Sequence, residues 1–177
     1  QSDVERVARE IHILKMIRLI TQARVAELSF SNGETFEDGL VKDAMIEAAQ
    51  LRWLKPMLGN DLWDTLESEY PTFSAVNQTL ADRLETPLAF FVKYEIVPDM
   101  SINQTSAGLQ VLNTEFSSPA TDSQRGQIRA QALLHAESLL EEVTRWIEKE
   151  SVISDYPDYL KSKNVNNNTS RKGGILF

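Results

Sequence analysis

Between Ser123 and Glu150 apolar residues return every three to four positions with no proline to interrupt them. One row is Ile128, Ala132, Ala136, Leu139, Val143 and Trp146, and a second, Leu133, Leu140 and Ile147, repeats every seven residues beside it. A spacing of 3.6 gathers such residues on one side of an α-helix, whereas a strand would scatter them over both faces. A helix of this length with two adjoining apolar rows has to pack against more than one partner. The chain is therefore expected to be a mainly α helical bundle, and the second row can meet either this chain or another subunit.

Shorter helices are expected ahead of it. Val4, Val7, Ile11 and Leu14 place an amphipathic helix over residues 3–17. Residues 21–28 read either as a short helix capped by Thr21 or as a strand ending at Phe30, and the Ser31-Asn32-Gly33 cluster marks a turn. A helix over 37–55 has Leu40, Ala44, Ala48, Leu51 and Leu54 as its stripe, widened by Val41 and Met45, and Pro56 stops or kinks it. Gly59 suits a left-handed C-cap, Asn60 or Asp61 an N-cap, and a short helix from Leu62 ends before Pro71. After a segment at 75–84, Thr86-Pro87 reads as the cap and first residue of another helix, 88–97, which is apolar almost all round and so belongs at the centre. Ser106-Ala107-Gly108 lies between short apolar stretches and predicts a small β-hairpin over 101–113, inserted before the long C-terminal helix. The divisions that follow are an N-terminal arm (1–35), a helical domain (36–150) and a C-terminal tail (151–177).

At 177 residues a core can form without staples, and the absence of cysteine leaves packing alone to hold it. The longest apolar run, Leu88 to Val92, is far too short to span a bilayer. Residues 1–6 lack the basic-then-apolar layout of a signal peptide, and the missing initiator Met predicts a processed or trimmed start. A net charge of −8 argues against a protein whose main task is to grip nucleic acid.

The residue types needed for catalysis are sparse. His12 and His135 are the only histidines; Glu137 stands two positions from His135, the wrong spacing for a shared helical face, and there is no HExxH, GxSxG, P-loop or GxGxxG. No catalytic, cofactor or metal site is expected. Glu141, Glu142, Glu148 and Glu150 read as solvated charge on a helix, and Trp53, Trp63 and Trp146 as core aromatics. Two isolated strands are only marginally stable in water, so Ile102, Leu109, Val111 and Leu112 of the hairpin are candidate inter-subunit contacts. The aromatic anchor at Tyr156 and Tyr159, with the apolar Ile175, Leu176 and Phe177 beyond an Asn-rich stretch, makes a candidate partner-docking tail.

One order of signals resembles a known family. Residues 47–63, Glu-Ala-Ala-Gln-Leu-Arg-Trp-Leu-Lys-Pro-Met-Leu-Gly-Asn-Asp-Leu-Trp, carry an Ile/Leu-Lys-Pro-x-Leu-Gly-x-x-Leu type of block. Behind it come Pro87-Leu88-Ala89-Phe90-Phe91 with Pro98, Gly108-Leu109-Gln110-Val111, Pro119-Ala120-Thr121-Asp122 and Tyr156-Pro157-Asp158-Tyr159. Over about residues 36–160 this is similar to the head–tail connector proteins of tailed phages that infect Bacteroidetes-type hosts, crAss-like phages among them. The resemblance implies a virion protein of the neck without enzymatic activity. Its subunits would form a homo-oligomeric ring, twelvefold by analogy, between the portal protein and the tail or further neck proteins, around a channel that DNA passes without sequence-specific binding. A small helical regulatory or adaptor protein acting without a ring is the rival expectation, and a hydrolase or metalloenzyme a third.

Overall fold

The computed structural model describes residues 17–30, 40–98, 102–105, 108–111 and 121–161. The expected helix over 3–17, with His12, lies outside them except for Ile17, as do the turn at 31–33 and residues 175–177. The architecture is mainly helical.

Its pillar is α5 (Ala75–Ile96), taken here with the helices that surround it: α1 (Gln22–Ser29), α2 (Asp43–Ala49), α3 (Lys55–Leu58), α4 (Asn60–Glu69), α6 (Asp122–Ile147) and the short α7 (Pro157–Lys161). α1, α2 and α6 all pack on α5, and α7 packs on α4. Rings and charges face each other in reverse order along α5 and α6, Arg83 with Trp146, Phe90 with His135 and Tyr94 with Arg129, so the two run antiparallel.

Residues 75–96 form one helix where the sequence suggests two. The Ser74 hydroxyl caps it by accepting from the Asn77 N–H, and Thr86 is an interior residue. Proline inside a helix costs about 3 kcal/mol through its lost donor and its clash with the preceding turn. Here Pro87 is itself buried, and Leu80, Leu84, Leu88, Phe91, Val92 and Ile96 keep one buried phase across it. The continuous burial offsets the local cost, at about 1.5–3 kcal/mol for each large apolar side chain.

The expected 37–55 helix begins only at Asp43, and its inward face is Ile46, Ala49 and Gln50. Ala44 and Ala48 are exposed, and Leu51 is 40% exposed. A π turn follows at Gln50–Leu54, where the Lys55 N–H donates to the Gln50 carbonyl five residues back. The wider turn adds a residue ahead of Pro56, which has no N–H to give, and lets the helix run on to Leu58. Leu54, Met57 and Leu58 face the core. Gly59 follows with φ 86°, a conformation that only glycine adopts freely, and it serves as C-cap of α3 and N-cap of α4 together. Neither Asn60 nor Asp61 is the cap; both lie within α4.

Residues 17–30 belong to the body instead of forming an arm. Thr21 caps α1, which settles the helix-or-strand ambiguity in favour of the helix, and Ile17, Leu19, Ile20 and Val25 are buried. The Gln50 side chain clamps their approach: its Oε1 accepts from the Leu19 N–H at 2.8 Å and its Nε2 donates to the Ile17 carbonyl at 2.7 Å, both buried. At the other end the chain past α6 also joins the body. Tyr156 and Tyr159 are buried, so the boundary expected at 151 does not mark where packing stops.

Ile102–Thr105 (β1) pairs antiparallel with Gly108–Val111 (β2), Ile102 opposite Val111 and Thr105 opposite Gly108, and no further strand joins this pair among the described residues.

Candidate interaction surfaces

The two halves of α6 differ. Its start is fixed locally by a reciprocal capping box: the Thr121 hydroxyl accepts from the Gln124 N–H while the Gln124 side chain accepts from the Thr121 N–H. Its buried residues are Ala132, Ala136, Leu140, Val143 and Ile147, all in the second part of the helix. Toward the N-terminus the same stripe continues as Arg129 and Arg125. Arg129 lies over the Tyr94 ring at 4.2 Å, and its buried Nε has no hydrogen-bond acceptor among the described residues. Ile128, expected in the inner row, is 43% exposed, and Leu134 is 65% exposed. The core-facing stripe thus combines the two rows read from sequence.

Along the C-terminal half, α6 and α5 leave an open groove of about 420 Å³. Pro87, Leu139, Val143 and Trp146 supply its apolar floor, and Asp82, Arg83, Glu142, Arg145 and Lys149 its rim. The Arg83 guanidinium covers one part of the Trp146 ring at 4.3 Å, and Tyr156 meets the indole edge-on with centroids 5.7 Å apart. Arg145 is held by Glu141 at 2.7 Å and Glu142 at 2.8 Å. These pairs are well exposed and contribute little to stability.

Tyr156 and Tyr159, the near end of the expected docking tail, are placed in the core. Their rings are buried, the Tyr156 hydroxyl donates to the Val76 carbonyl at 2.8 Å, and the Tyr159 hydroxyl to Glu148 at 3.1 Å. Loss of water around the phenols raises both pKa values, and the neighbouring Asp155 and Glu148 add to the effect. Alternating apolar and polar residues at 156–159 look alike whether they dock on a partner or on their own chain. Their partners include Val76 and α4, which are distant in sequence, so local reading could not choose between these. Leu112 and the side chains of Ile102, Leu109 and Val111 lie outside the described residues.

At the opposite end of α5 an aromatic cluster joins it to the π turn. Trp53 stacks on Phe91 at 4.6 Å and meets Tyr94 edge-on at 6.0 Å, while Arg52 and the Trp53 indole N–H both reach the Glu95 carboxylate. Trp63 is buried, with its N–H on Glu67, whereas Trp53 and Trp146 are only part-buried. His135 is exposed beside Phe90. Among the described residues no group of three or more His, Asp or Glu could hold a metal ion, and no helix is long and apolar enough to cross a membrane.

These helices define the chain's kinship. Residues 54–169, from the end of the π turn through α7 and beyond, match a family of unknown function (DUF6712), and the protein belongs to that family. No curated protein and no solved structure matches the chain.

Proposed function

We propose that this protein is a structural, non-enzymatic virion component: a ring-forming head-to-tail connector subunit that sits between portal and tail and continues the DNA channel. The observation that carries the reading is the first part of α6. A capped helix stands there with no buried residue before Ala132 and with Ile128 exposed, so this length of helix adds no buried apolar side chain to the subunit's own core, although Arg129 lies over the Tyr94 ring. Neighbouring subunits or portal surface would cover it. A heterologous, head-to-tail contact of this kind closes into a ring when its rotation permits.

The ordered sequence blocks that resemble phage connectors support the same reading, as does the charge. A net −8 subunit around a channel repels the phosphate backbone and lets DNA slide. The β1–β2 pair, too small to be stable alone, is a second element for inter-subunit contact, through Ile102, Leu109, Val111 and Leu112. Twelvefold symmetry follows by analogy with connector rings, and residues 175–177 are assigned to contacts with neighbouring neck proteins in the assembled state.

Imaging of the purified protein with portal rings tests the proposal. A ring seated on the portal is the expected result, and Leu109→Asp with Val111→Asp should abolish it while the subunit still folds. Protein that stays monomeric at high concentration and ignores portal rings overturns the reading, and so does turnover of a substrate.

A further inference from the structure

Two exposed large apolar side chains stand on one helix, Ile128 at 43% and Leu134 at 65% exposed, both in α6. Single apolar residues at a surface are ordinary. What distinguishes these two is the charge beside each. Arg129 follows Ile128, and its guanidinium, laid over the Tyr94 ring, has no anionic partner among the described residues. Glu137 stands about one turn beyond Leu134, exposed and equally without a cationic partner among the described residues. The flanking charges of α6 are already paired, Arg125 with Asp122, and Glu141 and Glu142 with Arg145.

Each patch therefore joins one apolar side chain to one uncompensated charge, and the two charges are opposite. Their places on the helix decide what can cover them. At 3.6 residues per turn, Leu134 lies roughly 120° round α6 from Ile128 and roughly 9 Å along it. One flat partner surface cannot meet both, so each patch needs a surface of its own.

A second copy of the chain supplies exactly one such surface for each. Two-fold pairing of either patch with itself brings like charges together, Arg129 toward Arg129 or Glu137 toward Glu137, and leaves the other patch bare. Pairing the Ile128 patch of one copy with the Leu134 patch of another sets apolar against apolar and cation against anion. That contact is head-to-tail, so every copy keeps one patch free for the next, and the series closes into a ring when its rotation permits.

We propose that copies of this protein join through α6, with Ile128 and Arg129 of one copy against Leu134 and Glu137 of the next. The apolar pair supplies the attraction, and the Arg129–Glu137 pair at its edge sets the register and rejects two-fold pairing. The proposal deepens the connector reading, from which it takes closure into a ring, whereas the pairwise contact stands on the two patches themselves.

Because the chain has no cysteine, introduced thiols report the contact directly. Ile128→Cys and Leu134→Cys, made separately in the full-length protein and mixed, should form disulfide-linked dimers under mild oxidation, and neither variant alone should do so. Both substitutions in one chain should give a ladder of linked oligomers. Glu137→Lys in both partners should lower the mixed linkage at least about tenfold, and adding Arg129→Glu to both should restore it. Each sample is run free and on portal rings. Linkage of Ile128→Cys to itself overturns the proposal in favour of two-fold pairing, and linkage indifferent to Glu137→Lys overturns the register. Protein that seats on portal rings without any linkage leaves the connector reading standing and removes this contact. Linkage in solution by protein that ignores portal rings keeps the contact and removes the connector reading, and absence of linkage in both settings overturns the contact.

Discussion

α5 and α6 are the two long helices of this protein, and they are used differently. α5 has buried residues all the way from Asn77 to Ile96, with neighbours on several sides, and tolerates even a proline in its middle because burial on both sides of Pro87 holds the helix in register. α6 is longer, yet all its buried residues lie from Ala132 onward. Its first turns rely on the Thr121–Gln124 capping box and include Gly126, a poor helix former. Length alone is therefore no measure of a helix's share in the core.

Substitutions should separate the two regions. Phe91 in α5 is fully buried and stacked on Trp53, so Phe91→Ala should destabilise the subunit by about 3–5 kcal/mol in chemical denaturation. A loss below about 1 kcal/mol would mean that α5 is not the pillar described.

Next in size is Gln50→Leu. It strands the Leu19 N–H and the Ile17 carbonyl, each costing about 1–3 kcal/mol when buried without a partner. Hydrogen exchange should show faster exchange over residues 17–30 with little change in α6. Uniform loss of protection would show that the clamp serves the whole fold and not the strap at its edge.

Alkaline pH probes the end of α6 that belongs to the body. Burial raises the Tyr159 and Tyr156 hydroxyls above the ordinary tyrosine value, so the folded state keeps protons that the unfolded chain has given up. Their contribution is complete below about pH 10 and is lost as pH rises from there through the folded values, at up to about 1.4 kcal/mol per pH unit for each group. Tyr159→Phe should flatten that decline, measured as melting temperature against pH. An unchanged slope would remove Tyr159 from the account.

The smallest effect should come from Gly126→Ala. A Cβ there meets nothing within 4 Å, so the gain is about 0.5–1 kcal/mol of helix propensity, confined to the first turns of α6. Hydrogen exchange should slow over 122–131 while global unfolding hardly moves; a matching rise in global stability would place those turns inside the cooperative core.

Much of the fold was legible in the sequence. The 3–4 spacing from Ile128 to Ile147, the apolar wrap at Leu88 to Val92, the Thr21 and Gly59 signals and the stop before Pro71 each map onto an element or its end. What escaped reading depended on partners distant in sequence. Thr86-Pro87 has the local signature of a helix start, yet the stripe from Leu80 to Ile96 runs through it, and only packing on three neighbouring helices shows that the stripe wins. The expected stripe of Ala44, Ala48 and Leu51 gives way to Ile46, Ala49 and Gln50, a face selected by the Gln50 clamp on the distant Ile17 and Leu19. Leu54 is buried as expected, and the π turn before Pro56 is invisible to a fixed period. Tyr156 and Tyr159 carried the right signal, an anchor, but not the identity of the surface they anchor to. The groove was not read at all, because its floor comes from α5 and α6 together.

The most direct test takes Ile128→Asp with Leu134→Asp and measures thermal unfolding alongside cosedimentation with portal rings. The variant should melt within about 2 °C of the wild type, since exposed positions away from packing change stability by about 0.5 kcal/mol or less, and it should fail to sediment with rings that carry the wild type down. A variant that binds as well as the wild type, or one that unfolds early, would contradict the claim that the first half of α6 is built for a neighbour.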